Sequence, residues 1–160
     1  MKKLFLLAVV SFFVTGIFAQ NEKYLATMKS NIAAIDTSYK NPADLLTLAN
    51  KFERIATTEK NQWLAYYYAA LCQVNYTYME KDKTKIDAIA DKATELINKA
   101  DALQPNNSEI SCIKSMIASS HMMVDPMTRF MEYGPESQSY IDAAQQQDPT
   151  NPRPEYLKPR

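Results

Sequence analysis

Ala93-Thr94-Glu95-Leu96-Ile97-Asn98-Lys99-Ala100 runs on through Asp101-Ala102-Leu103-Gln104 into Pro105-Asn106-Asn107, and 44 residues later Ser137-Gln138-Ser139-Tyr140-Ile141-Asp142-Ala143-Ala144 runs on into Pro149-Thr150-Asn151. The same step reaches backwards. Phe52, Leu96 and Tyr140 correspond, as do Leu45, Ile89 and Tyr133, then Ala49, Ala93 and Ser137, then Ala56, Ala100 and Ala144. It also relates Leu25, Ala69 and Ile113; Met28, Cys72 and Met116; and Ile35, Met79 and Met123. A fixed period in this range marks an array of helix pairs, each unable to bury its own apolar face. The expected fold is all-α: a right-handed array of antiparallel helix pairs, about three units at 21–62, 63–106 and 107–150. Residues 151–160 look like a fourth unit that stops early.

Apolar residues three to four apart predict helices throughout. Leu25, Met28, Ile32 and Ile35 mark one over 21–37, and Leu45, Leu48, Ala49, Phe52, Ile55 and Ala56 mark the next, opened by Asn41-Pro42. Asn is a good cap, and Pro suits the first helical position, where its missing N–H costs nothing. Further helices are expected over 62–80, 82–103 and 107–124. Asp125-Pro126 opens a short helix to Tyr133, Gly134-Pro135 breaks it, and a last helix runs to Gln147.

The first nineteen residues read as a secretory signal: basic Met1-Lys2-Lys3, an apolar run over 4–18, and Ile17-Phe18-Ala19 before Gln20. No cysteine follows the cleavage site, so lipid attachment is not expected, and export to the periplasm or the medium is. The mature domain is then 20–150, with a proline-rich tail at 151–160. Losing Lys2 and Lys3 leaves 16 basic against 18 acidic residues, a balance of −2. That disfavours nucleic acid, which needs clustered cations. No later segment is apolar enough to span a membrane.

Glycine occurs only at Gly16 and Gly134, which argues against phosphate loops and nucleophile elbows. His121 is the sole histidine, and no metal-ligand spacing appears. No catalytic residue, cofactor or metal site is expected, and the chain does not read as an enzyme. The alternatives are an enzyme of unknown chemistry or a periplasmic carrier of a small ligand or of copper, since Met116, Met122, Met123, Met127 and Met131 surround His121 and thioethers hold Cu(I). Cys72 and Cys112 either bridge, in a compartment that permits it, or pack as small apolar groups.

The ends of the second helices carry a resemblance. Ala93, Ile97, Ala100 and Pro105, followed by Asn106-Asn107-Ser108-Glu109, resemble the second half of a tetratricopeptide repeat; Ser137, Ile141, Ala144 and Pro149 repeat the spacing. Trp63 and Tyr67 sit where that family favours large residues. The resemblance covers most of 41–153, in the manner of small exported helical-repeat proteins of bacterial envelopes. The period of 44 departs from that family's usual length of about 34 and lies nearer that of HEAT-like repeats; the first unit has Asn61 in place of the terminal proline. The resemblance implies a non-catalytic scaffold that binds a protein or peptide in a concave groove.

In helix 62–80 two apolar stripes leave a face of Tyr66, Ala70, Gln73 and Thr77. The 44-residue step carries it onto Ile110, Lys114, Ile117 and His121, and back onto Glu22, Ala26, Lys29 and Ala33. Glu22, Lys29, Tyr66, Gln73, Thr77, Lys114 and His121 are therefore the expected partner-binding row, tyrosine offering large area with few rotors. At the other end, the tail has too many prolines for a long capping helix. Tyr140, Ile141 and Ala144 are expected to be partly uncovered there, as a second contact or self-association surface.

Overall fold

A computed structural model describes residues 22–158. The signal-peptide reading of 1–19 lies outside them. All the regular structure among the described residues is helical: α1 over 22–38, α2 Pro42–Thr58, α3 Trp63–Thr77, α4 Lys83–Leu103, α5 Ser108–Val124, α6 Pro126–Gln147 and α7 Arg153–Leu157. No helix among them is long and apolar enough to cross a membrane.

Local chemistry sets the boundaries. Asp82 Oδ1 accepts from the Thr84 N–H at 3.1 Å, and Asn107 Oδ1 accepts from Glu109 and Ile110 N–H at 2.9 and 3.3 Å. These bonds satisfy N–H groups that the first helical turn leaves without partners. Asn41 takes the cap position but no cap bond; its amide donates to Asp44 Oδ1 at 3.2 Å. Between α4 and α5, Asn106 adopts φ 58°, a left-handed turn that asparagine tolerates better than most residues.

Small residues at the 44-residue step bring the helices close. Ala56, Ala100 and Ala144 are all fully buried, as are Ala93 and, nearly, Ala49. Phe52 and Leu96 fill the space beside them. The third unit has Ser137 where the others have alanine. Its hydroxyl is satisfied by Ser115 Oγ at 2.9 Å and Ser119 Oγ at 3.0 Å, which pins α6 to α5. Polar ties run between alternate helices. Tyr67 donates to Glu109 at 2.7 Å and Thr77 meets Ser120 at 2.6 Å, joining α3 to α5. Lys92 reaches Glu53 at 2.7 Å, joining α4 to α2.

Two expectations are corrected. The helix does not break at Gly134-Pro135: α6 is continuous, with Pro135 inside it. Part of proline's penalty is the clash of its ring with the Cβ of the residue before it, and Gly134 has no Cβ, so that part is absent here. The packing of α6 along α5 supplies the rest. Nor are Ile141 and Ala144 partly uncovered, although Tyr140, expected with them, is only half-buried. Ile141 is 1% exposed and Ala144 fully buried, because α5 and α7 both pack on α6 and Pro154 is itself buried.

Candidate ligand-binding groove

The expected row does not form one open surface. Thr77 is fully buried and Gln73 nearly so. Thr77 donates to the Val74 carbonyl at 2.6 Å as well as meeting Ser120. The physical reason is the rotation of the first helices. The ring of Tyr66 lies 6.0 Å from Lys99 Nζ of α4. Lys114 Nζ lies 2.6 Å from Asp101 and 5.8 Å from the Tyr140 ring. His121 Nδ1 lies 2.8 Å from Asp87 Oδ1, its Nε2 3.7 Å from Asp91, and its ring stacks on Tyr133 at 5.1 Å. The row therefore turns toward α4 and α6. Lys114 and His121 share a cleft of about 240 Å³ with Ile97, Tyr133 and Tyr140. Tyr66 does not line it, and Glu22 and Lys29 stand exposed on α1.

The opposite side of the first helices holds a groove of about 340 Å³. From α1 and the turn after it come Ile32, Ile35, Asp36 and Tyr39, spaced to fall on one face; α3 gives Tyr68, Leu71 and Asn75, α5 gives Met116, and α7 gives Arg153. The floor is apolar and aromatic. Tyr68 is held from behind, stacked on Phe52 at 5.4 Å and edge-on to Tyr67 at 5.1 Å. Tyr39 stands 44% exposed at the rim, and its hydroxyl has no hydrogen bond among the described residues.

Arg153 is fixed by Glu109. Its Nε lies 3.0 Å from Glu109 Oε2, which also accepts from Tyr67, while Asn151 Nδ2 donates to Glu109 Oε1 at 2.8 Å. Burial raises the phenols of Tyr39 and Tyr68 above their ordinary value, with Arg153 pulling the other way. Both are neutral donors at physiological pH. Cys72 and Cys112 are unbridged and buried, and burial pushes both thiols up to about 12, so they pack rather than react.

Sequence reasoning missed this groove. Tyr39 follows the end of a helix and Arg153 sits in a stretch set aside as a tail. The signal that existed was Ile32 and Leu71, apolar residues outside the shared core stripe. No group of three or more His, Cys, Asp or Glu suited to a metal occurs among the described residues. Met127 and Met131 are 92% and 81% exposed, and His121 faces carboxylates, so no thioether cage surrounds the imidazole.

No family model and no curated protein matches the chain. Among solved structures it is similar to the HusA haemophore from Porphyromonas gingivalis, with a TM-score of 0.76 and 34% identity over 84% of this chain and 65% of that one. The chain thus spans just under two thirds of that protein's length.

Proposed function

We propose that this protein is a non-catalytic small-ligand carrier, exported from the cell, that takes haem in the groove between α1, α3, α5 and α7. The observation that carries the reading is the lining itself. Ile32, Leu71, Tyr68 and Met116 offer a flat apolar and aromatic surface, and a single guanidinium, Arg153, stands at its edge. A porphyrin needs both: apolar area for the macrocycle and a cation for a propionate. Tyr39 and Met116 supply the phenol oxygen and thioether that haem iron accepts as ligands. The likeness to a haemophore supports the choice of cargo. A tetratricopeptide-like layout, with the first helices of successive pairs lining one concave face, would fit the same reading. A carrier is favoured over the protein-docking scaffold, because Gln73 and Thr77, the centre of the row expected to meet a partner, are buried.

The test is a hemin titration followed by the Soret band, on the wild type and on Leu71→Asp. Leu71 is only half-buried, so the variant keeps its helicity by circular dichroism. Saturable binding that Leu71→Asp weakens about tenfold or more (about 1.4 kcal/mol) supports the groove. Absence of a saturable spectral change, or an unchanged titration in the variant, overturns it.

A further inference from the structure

A second cavity, of about 560 Å³, lies between α1 and α2. It is larger than the groove and chemically different. Lys23, Lys51 and Arg54 line it, with Tyr24 and Ile55 between them and Glu59 as the carboxylate of the lining. Elsewhere Lys92, Lys114, Arg129 and Arg153 each meet a carboxylate within 3.0 Å. Lys23, Lys51 and Arg54 have no ion pair among the described residues. Lys51 and Arg54 are three apart on one helix, a spacing at which like charges repel. Three cations against the one carboxylate of Glu59 leave the concavity with an excess of positive charge, which in electrostatic terms favours an anion.

An independent observation comes from Tyr24. It is 8% exposed, and its hydroxyl is buried with no hydrogen-bond partner among the described residues. Buried polar atoms are nearly always paired, so an orphan in a cavity wall calls for a partner from outside the chain. The hydroxyls of Thr27 and Thr58 are already committed, to the carbonyls of Lys23 and Arg54 at 2.8 and 2.9 Å. Tyr24 is thus the hydroxyl left to serve a ligand. Ile55, the Tyr24 ring and the aliphatic stems of the lysines give the same cavity an apolar wall.

We propose that this cavity binds a small amphipathic organic anion. Lys23, Lys51 and Arg54 hold its carboxylate or phosphate, Tyr24 donates to it, and its apolar body lies against Ile55.

The test is calorimetric titration of the haem-free protein with four probes: octanoate, octyl phosphate, inorganic phosphate and octanol. At least one of the first two should bind saturably, about tenfold tighter than phosphate, which lacks the body, or octanol, which lacks the charge. The better of the two identifies the head group. The double variant Lys51→Gln/Arg54→Gln, whose side chains are exposed and lie outside the core, should lose about tenfold in affinity, and added salt should weaken binding in the wild type. Tyr24→Phe should lose a few-fold, and Leu71→Asp should lose nothing. Absence of saturable binding by either amphiphile overturns the proposal. So does binding unchanged in the double variant, or phosphate binding as well as octyl phosphate, which is surface charge attraction alone.

Discussion

Arg129 of α6 grips Asp87 of α4 with both arms of its guanidinium, Nη1 to Oδ1 at 2.7 Å and Nη2 to Oδ2 at 2.9 Å. The same Oδ1 lies 2.8 Å from His121 Nδ1 of α5, so one carboxylate ties three helices. Hydrogen bonds from Arg129 first, with His121 and the positive charge of Arg129 adding to them against some burial, hold the Asp87 carboxyl down at about 2. A depressed carboxylate stabilises the fold above its unfolded value, about 3.9, and the contribution is lost as pH falls through the folded value. Asp87→Asn should therefore unfold at lower urea than the wild type at neutral pH. The gap should hold down to about pH 4 and close between there and about 2. Urea midpoints at several pH values read this directly.

Arg153 lines the groove and neutralises Glu109. Its side chain is 42% exposed, so solvent screening limits the pair to about 1 kcal/mol or less. Arg153→Ala should lower the melting temperature slightly and weaken hemin binding about five- to tenfold, the range of one lost charge-assisted contact. Arg153→Lys should recover most of the stability but less of the binding, since an ammonium cannot pair a carboxylate in two-pronged fashion.

Thr77 and Ser120 share a fully buried contact at 2.6 Å. With Thr77 donating to the Val74 carbonyl, Ser120 gives its one hydrogen to Thr77; Thr77→Val keeps the shape and leaves that hydrogen to the Met116 carbonyl, 2.9 Å away. The expected cost is about 1 kcal/mol, a typical net hydrogen bond. Ser120→Ala made in the Thr77→Val background should cost less than in the wild type. A thermodynamic double-mutant cycle isolates that coupling.

Pro135 occupies the interior of α6, where proline removes a donor. Pro135→Ala should stabilise the protein, by up to about 3 kcal/mol from helix preference less about 0.4–1 kcal/mol for the freer unfolded chain. Thermal unfolding checks the sign.

The small core positions were legible because their markers are volumes. Alanine at 56, 100 and 144 admits a neighbouring helix, and the burial at each site is the same. Helix starts at Asp82, Asn107 and Asp125 were legible because capping is local chemistry. Helix rotation was not. α3 is apolar or aromatic nearly all round, with Tyr66, Tyr67 and Tyr68 in succession, so no polar stripe marked which side faced out. Tyr67 is 4% exposed while its neighbours are half-buried, a difference set by contacts with α5 that a single segment does not encode. The break expected at Gly134-Pro135 failed for a similar reason. Ser137, one turn on, is tied to Ser115 and Ser119, and that long-range packing overrides the local rule.

Five residues are too few to sustain a helix by their own hydrogen bonds. The order of α7 is therefore borrowed from buried Pro154 and from the hold of Glu109 on Arg153. The groove thus has one wall that is a latch, fastened from below by the carboxylate that also receives Tyr67. A cargo that bridges Arg153 to the tyrosine side would tighten this latch. On the proposed reading, peeling that short helix away would loosen cargo and wall together, so capture and release would both act through α7.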